Sequence, residues 1–306
     1  FVRTQPDPAR VAVQQPQHPG ARVLDPAYRA QGVPTEPSTP TLAELPHQWA
    51  IAGSPCPKDW QLPTRAQQQC QVLTDPNQDA ASPGTDPLSD LPLAVDEGVT
   101  RVLLVGNSHV QHWASAVRQI GVERGWQVVL IYEQNCSLAP AGDPINTLEK
   151  CVDFWPDALN ATEPLDPDVL VTVGTRSEYD GETVLRAGLE LLAEHAKPGR
   201  TIVAMRDTPR FEVGLVQCDA ERRPDDPPCA AGHPILETSN PLTRLVAPIA
   251  GMATLDLAPL VCPERRCVAE VGNVKVWMDQ HHLTRAYIET TTELVAARLM
   301  RAIEGA

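Results

Sequence analysis

No stretch of this chain is a basic run, and no uninterrupted apolar run reaches the roughly 18 to 20 residues that cross a bilayer as a helix. The formal charge is −14, from 25 basic and 39 acidic side chains. That balance argues against a nucleic-acid partner or an anionic lipid surface, because both are bound through clustered Lys and Arg. The N-terminus has no basic-then-apolar signal peptide. A Gly-x-Ser-x-Gly elbow is missing, so the α/β-hydrolase form of serine catalysis has no support. Gly-x-Gly-x-x-Gly, the phosphate-binding P-loop and His-Glu-x-x-His are missing too, which leaves nucleotide chemistry and zinc-protease chemistry without a motif.

What is present begins at residues 101 to 109, reading RVLLVGNSH. A run of β-branched and aliphatic residues ends in Gly106, and Ser108 follows at the mouth of an amphipathic segment. This pattern predicts strand, turn and helix. In an open parallel sheet, ligands bind beyond the carboxyl ends of the strands, and a helix N-terminus there offers backbone N–H donors to a developing oxyanion. Ser108 is therefore well placed as a nucleophile, although a serine in that position is also a common helix cap.

A serine hydroxyl needs a base, and the base needs a partner that fixes its tautomer. Residues 277 to 287, reading WMDQHHLTRAY, supply both from one loop: Asp279 stands three residues ahead of His282, just before the last helix. His281 competes with His282 as the base. His109 and His112, three apart, suggest either a metal pair or a pocket rim and helix surface. Trp113 and Trp277 fit a core as readily as a sugar-stacking platform.

Gly-Asn-Ser-His early and Asp-x-x-His-Leu-Thr late resemble the first and last blocks of the SGNH hydrolase family. The resemblance is closest to the extracytoplasmic, C-terminal SGNH domains fused to multispanning membrane acyltransferases, which O-acylate cell-envelope glycans, and it covers about residues 50 to 305. It implies Ser108 as nucleophile, His282 as base, by its spacing from Asp279, and Asp279 as the orienting acid. It also implies an oxyanion site that includes the Ser108 N–H. The family glycine after the second strand has no clear counterpart in residues 132 to 136. After the third strand the family places Gly-x-Asn, and here Gly174 is followed by Thr175 and Arg176. Arg176 either donates to the oxyanion or reads a carboxylate on the acyl group. Asn107 replaces the usual Asp and removes a charge beside the nucleophile. His109, Trp113 and His281 are expected to line the pocket. No cofactor and no metal are called for.

The implied reaction is transfer of a short acyl group through an acyl-serine to a hydroxyl of an envelope glycan or glycolipid, the donor being delivered by a membrane domain upstream. The same residues with water as acceptor give a secreted carbohydrate esterase, and loss of function at Asn107 and Arg176 gives a silent glycan-binding module. The chain starts at Phe1 and reads as a piece of a longer protein, held on the outer side of a membrane.

Eight cysteines are an even count, and their order suggests the local pairs Cys56–Cys70, Cys136–Cys151, Cys218–Cys229 and Cys262–Cys267, each bracketing a loop in need of a staple. Disulfides imply an oxidising compartment. The alternative for Cys262 and Cys267 is metal ligation, but no second close Cys or His pair complements them.

Residues 1 to 97 hold 16 of the 31 prolines, which excludes a long helix or a central strand there. Residues 1 to 45 read as a Pro-rich tether, a semi-rigid spacer. Residues 46 to 97 read as an extension strapped to the main domain through Trp49, Trp60 and the first cysteine pair. Residues 98 to 306 form the catalytic domain. Within it, strands are expected at 101–106, 126–132, 168–174, 200–206 and 253–257. Helices are expected at 110–123, 181–195, 242–251 and 284–303, and long irregular regions at 133–167 and 207–241. Strands separated by helices predict a three-layer α/β/α, flavodoxin-like sandwich with a mostly parallel sheet.

Overall fold

A computed structural model describes residues 17–29, 35–50, 53–76, 97–179, 181–223, 229–232, 239–247 and 249–306. Its centre is a seven-stranded sheet of β1 (Ser54–Pro55), β2 (Cys70–Thr74), β3 (Arg101–Gly106), β4 (Gln127–Tyr132), β5 (Val169–Val173), β6 (Thr201–Met205) and β7 (Met252–Leu255), in the order β1-β2-β4-β3-β5-β6-β7. Strands β4, β3, β5, β6 and β7 run parallel, while β1 and β2 are antiparallel additions at one edge. The five expected core strands each lie within two residues of their predicted bounds.

Parallel strands covered on both faces carry continuous apolar runs, and here successive side chains feed two cores. Val102 and Leu104 of β3 and Val128 and Leu130 of β4 face Val110, Trp113, Val117 and Ile120 of helix α2 (Ser108–Arg124). Against α2 pack α5 (Arg285–Thr290) and α6 (Thr292–Glu304). Leu103 and Val105 of β3 and Val129 and Ile131 of β4 face the opposite layer. That layer is built from α1 (Thr64–Gln69), α3 (Lys150–Asn160) and α4 (Arg186–Ala193). The result is the α/β/α sandwich with the flavodoxin-like winding. Strand β3 is flanked by the strand that follows it on one side and by the next on the other, so the crevice at the switch point opens at the carboxyl end of β3.

Several stretches differ from expectation. Residues 150 to 160, expected to be irregular, form α3. Cys151, Phe154, Trp155, Ala158 and Leu159 are buried at helical spacing, and Pro156 sits inside the helix without ending it. The helix expected from residue 181 starts only at Arg186, because Thr175–Ser177 and Glu182–Val184 pair as a hairpin first. The closing helix is broken between Thr290 and Thr292. Residues 70 to 74 join the main sheet as β2.

The tether expected up to residue 45 lies, where described, against the domain. Gly20 donates its N–H to Gly272 O (2.9 Å), Ala21 to Thr290 Oγ1 (2.8 Å), and Lys275 to Thr39 O (2.8 Å). Ala21 and Leu45 are buried. Gly20 has φ +54°, and a Cβ there would come within 2.3 Å of Thr290. Glycine is thus required for this close approach. Proline does not oppose such docking, since the bonds are carried by neighbouring N–H groups. Residues 1–16 and 30–34 of the expected tether, and 51–52 and 77–96 of the expected extension, lie outside the described residues.

Four disulfides join Cys56 to Cys70, Cys136 to Cys151, Cys218 to Cys229 and Cys262 to Cys267. No helix among the described residues is long and apolar enough to cross a membrane.

Candidate active site

The turn from β3 to α2 is set by two residues. A Cβ at Gly106 would meet Val110 Cγ2 at 2.4 Å, so only glycine lets the helix fold back so tightly on the strand. Asn107 is the helix cap. Its side-chain oxygen accepts from His109 N (2.9 Å), and its carbonyl accepts from Val110 N (3.0 Å) and Gln111 N (3.1 Å). Asparagine caps as well as aspartate does, so the loss of charge at this position leaves the turn intact. Ser108 is then the first helical residue rather than the cap. Its side chain is buried.

At the other end of the chain, Met278 N donates to His282 O (2.7 Å), and Trp277 and Leu283 pair across it, closing residues 278 to 282 into a tight loop. Inside that loop Asp279 Oδ1 accepts from His281 N (2.9 Å) and His282 N (2.8 Å), and Oδ2 accepts from His282 Nδ1 (2.7 Å). His282 Nε2 lies 3.1 Å from Ser108 Oγ. With Nδ1–H donated to the carboxylate, Nε2 carries the lone pair that accepts the serine proton. Burial alone would raise the Asp279 pKa, but the His282 ring and the two backbone N–H donors outweigh it. They hold Asp279 well below the usual carboxylate range. Trp49 meets the His282 ring edge-on, with centroids 4.6 Å apart.

The other expected site residues fall in different places. Gly174 donates its N–H to Met205 O (2.8 Å), and a Cβ on it would meet Leu242, Leu189 and Ala204 at 3.1 to 3.3 Å, so it faces the core with its donor already used. Arg176 is paired with Glu178 and reaches Ile145 O (3.4 Å) and Ser137 Oγ (3.5 Å), tying the 133–149 loop to the hairpin. Trp113 lies in the core, 2% exposed. His109 and His281 stand beside His282, with ring centroids 5.7 and 3.9 Å away.

Sequence reasoning did not find Asp207, which lies just past the end of β6 on the same sheet edge as Ser108. Its Oδ1 is 2.5 Å from His109 Nδ1. Burial raises the Asp207 pKa to about 6 against the pull of Arg210 and two backbone N–H donors. Burial also lowers His109 far below an ordinary imidazole, helped by Arg210, His281 and His282. At neutral pH the pair is thus a carboxylate accepting from a neutral ring. His112, 4% exposed, is pushed down the same way and packs edge-on to His282 at 5.0 Å. The signal that marks Asp207 is only its position after a parallel strand.

A buried ion pair fixes this edge. Arg206 makes bidentate bonds to Glu182 (Nε to Oε1 3.0 Å, Nη2 to Oε2 2.7 Å) and a bond to Asp256 (3.2 Å), with the Glu182 side chain fully buried. Breaking a buried pair strands one charge and costs about 3 to 5 kcal/mol. Glu182→Ala is expected to lower the urea midpoint accordingly, and an unchanged midpoint would contradict the importance of this clamp.

His109, His281 and His282 each offer a ring nitrogen within 4.8 Å of the others, close enough to share a metal ion. His282 has both nitrogens engaged, by Asp279 and Ser108, so an ion bound there takes the base away from the serine. Cys262 and Cys267, bonded to each other, are closed to metal. A groove of about 430 Å³ lined by Leu42, Leu45, Val216, Met278 and Asp279 runs along the loop that carries the acid.

Comparison with solved structures finds the periplasmic domain of a lipopolysaccharide acetyltransferase from Salmonella ser. Paratyphi A. It is 14% identical, with a TM-score of 0.50, over 67% of this chain and 85% of that one, which is a likeness of fold. No curated protein matches the chain significantly. A family model described as the SGNH domain fused to AT3 domains matches residues 69–297, and the chain belongs to that family.

Proposed function

We propose that the chain is the extracytoplasmic acyl-transfer domain of a membrane acyltransferase, moving a short acyl group through an acyl-Ser108 intermediate to a hydroxyl of an envelope glycan or glycolipid. The observation that carries this reading is the hydrogen-bonded chain from Asp279 through His282 to Ser108, with links of 2.7 and 3.1 Å, at the sheet's switch point. The family's fusion to AT3 domains supports a membrane domain as the source of the donor, and the four disulfides suit an oxidising compartment.

In the first half-reaction Ser108 Oγ attacks the acyl carbonyl while its proton passes to His282 Nε2. Asp279 stabilises the resulting imidazolium. Negative charge develops on the carbonyl oxygen at the N-terminus of α2, where the Ser108 N–H and the helix dipole oppose it. His282 returns the proton to the leaving group. In the second half-reaction the acceptor hydroxyl gives its proton to His282, attacks the acyl carbon, and Ser108 departs with that proton.

The test supplies a short-chain nitrophenyl ester as donor with and without a sugar acceptor. Nitrophenol release with acylated sugar supports transfer. Release with free acid alone favours an esterase, and no release from the wild type counts against both. A chelator is expected to leave release unchanged, since the serine route uses no ion. Loss with chelator, restored by zinc, would contradict it.

A further inference from the structure

A second polar chain lies beside the triad, and the scheme above gives it no task. Asp207 Oδ1 is 2.5 Å from His109 Nδ1, and His109 Nε2 is 2.9 Å from His281 Nδ1. Asp207 is held rigidly. Ser177 N donates to its Oδ2 (2.9 Å), Thr208 N to its Oδ1 (2.8 Å), and its own N–H is donated to Thr175 Oγ1 (2.9 Å). Burying a carboxylate and the His109 imidazole costs free energy that an apolar core would not, so the arrangement calls for a use.

The hydrogen-bond roles along the chain follow from one another. The Asp207 carboxylate only accepts, so His109 presents Nδ1–H to it, a proton shared with the Thr208 hydroxyl 3.1 Å away. His109 Nε2 is then a lone pair, and His281 must donate Nδ1–H to it. That leaves His281 Nε2 as a lone pair on a partly exposed ring whose centroid is 3.9 Å from that of His282. Two carboxylate-anchored chains therefore reach the same pocket. One ends on Ser108, the other on an open acceptor atom.

Resting on the acyl-transfer reading, we propose that Asp207 and His109 are positioning residues that fix His281 Nε2 as the hydrogen-bond acceptor for a hydroxyl of the incoming polyol, seating it beside His282 for the second half-reaction. His282 is occupied by the serine in the resting enzyme and serves the acceptor only once the acyl group is in place. A polyol that must compete with water gains from a second fixed acceptor, because oriented binding raises its effective concentration at the acyl carbon. Water, with one oxygen, gains little from it.

The experiment measures the ratio of acylated sugar to free acid formed from a nitrophenyl ester and a methyl hexoside, a ratio independent of how fast the acyl-enzyme forms. Asp207→Asn and His281→Phe are expected to lower it by about 10- to 100-fold, the worth of one well-placed hydrogen bond. His281→Gln, which keeps an acceptor oxygen, should recover part of the loss. General damage to the fold lowers both products together and leaves the ratio where it was. An unchanged ratio overturns the proposal.

Failure of the parent reading looks different, since wild type would then give no acylated sugar at all. In that case the ring tautomers decide. In a spectrum of the 15N-histidine-labelled chain, His281 protonated at Nδ1 and bare at Nε2, with that pattern lost in Asp207→Asn, supports the chain of fixed acceptors. His281 protonated at Nε2 in the wild type overturns it.

Discussion

Ser108→Ala is expected to reduce nitrophenyl ester turnover by about 10⁴- to 10⁶-fold, leaving only the acceleration that binding and the oxyanion site provide. The substitution removes one hydroxyl, whose partner is His282 Nε2 at 3.1 Å. It does not disturb the helix start, because Asn107, not Ser108, caps α2. Alanine is also the best helix former, so the variant should unfold at essentially the wild-type denaturant midpoint. Activity and stability thus separate at this residue. Turnover by the alanine variant within tenfold of wild type would mean that another group attacks the ester.

The next largest effect is expected at Asp279. In Asp279→Asn one oxygen must still serve the two backbone donors, His281 N and His282 N, which lie on Oδ1 at 2.9 and 2.8 Å. The amide NH₂ then faces His282 Nδ1, where Oδ2 stood. Two donors cannot face each other, so the imidazole adopts the opposite tautomer and presents Nε2–H to Ser108. A base already carrying a proton at that nitrogen cannot take another, and kcat should fall by about 10³- to 10⁴-fold with the fold intact, as in other serine triads. Asp279 in the wild type is held well below the usual carboxylate range, so it stays ionised throughout the mildly acidic range. A carboxylate depressed by folding adds stability that is present above its unfolded pKa and is lost only as pH falls through the lower folded value. Acid inactivation above about pH 4 is therefore not expected to come from this group. A fall of less than tenfold in kcat for the asparagine variant would sink the tautomer argument.

The parts of this molecule legible in the sequence are those written in short-range patterns. The run from Val102 to Val105 is apolar because both faces of β3 are buried, and the glycine that follows is required by the approach of Val110. The spacing from Asp279 to His282 is enough to close a ring-to-carboxylate bond inside one loop. The order of cysteines along the chain matches their bonded pairs, since each closes a loop of at most 15 residues in sequence separation. From such patterns the parallel sheet and the crevice at the end of β3 follow.

Long-range hydrogen bonding is what the sequence hides. The described residues between 17 and 45 look like a spacer because the docking of Gly20, Ala21 and Thr39 depends on backbone groups of residues 272 to 275 and on the Thr290 hydroxyl, more than 200 positions away. Residues 70 to 74 lie among prolines and glutamines, and only the free edge of β4 makes them a strand. Asp207 belongs to no motif. Its partners, His109, Ser177 and Thr208, come together only when the hairpin at 175 to 184 folds over the end of β6. Gly174 directly precedes the same hairpin and Arg176 lies in it. One uses its N–H on Met205 and the other its charge on Glu178.

The most direct test of the central claim is peptide mass mapping of the wild-type chain quenched during reaction with a nitrophenyl acetate donor. One acetyl group on the peptide containing Ser108, located on that side chain by fragmentation, absent from Ser108→Ala and discharged when a sugar acceptor is added, is the result predicted. An adduct on any other residue, or rapid nitrophenol release with Ser108 unmodified at every time point, would contradict the acyl-serine route.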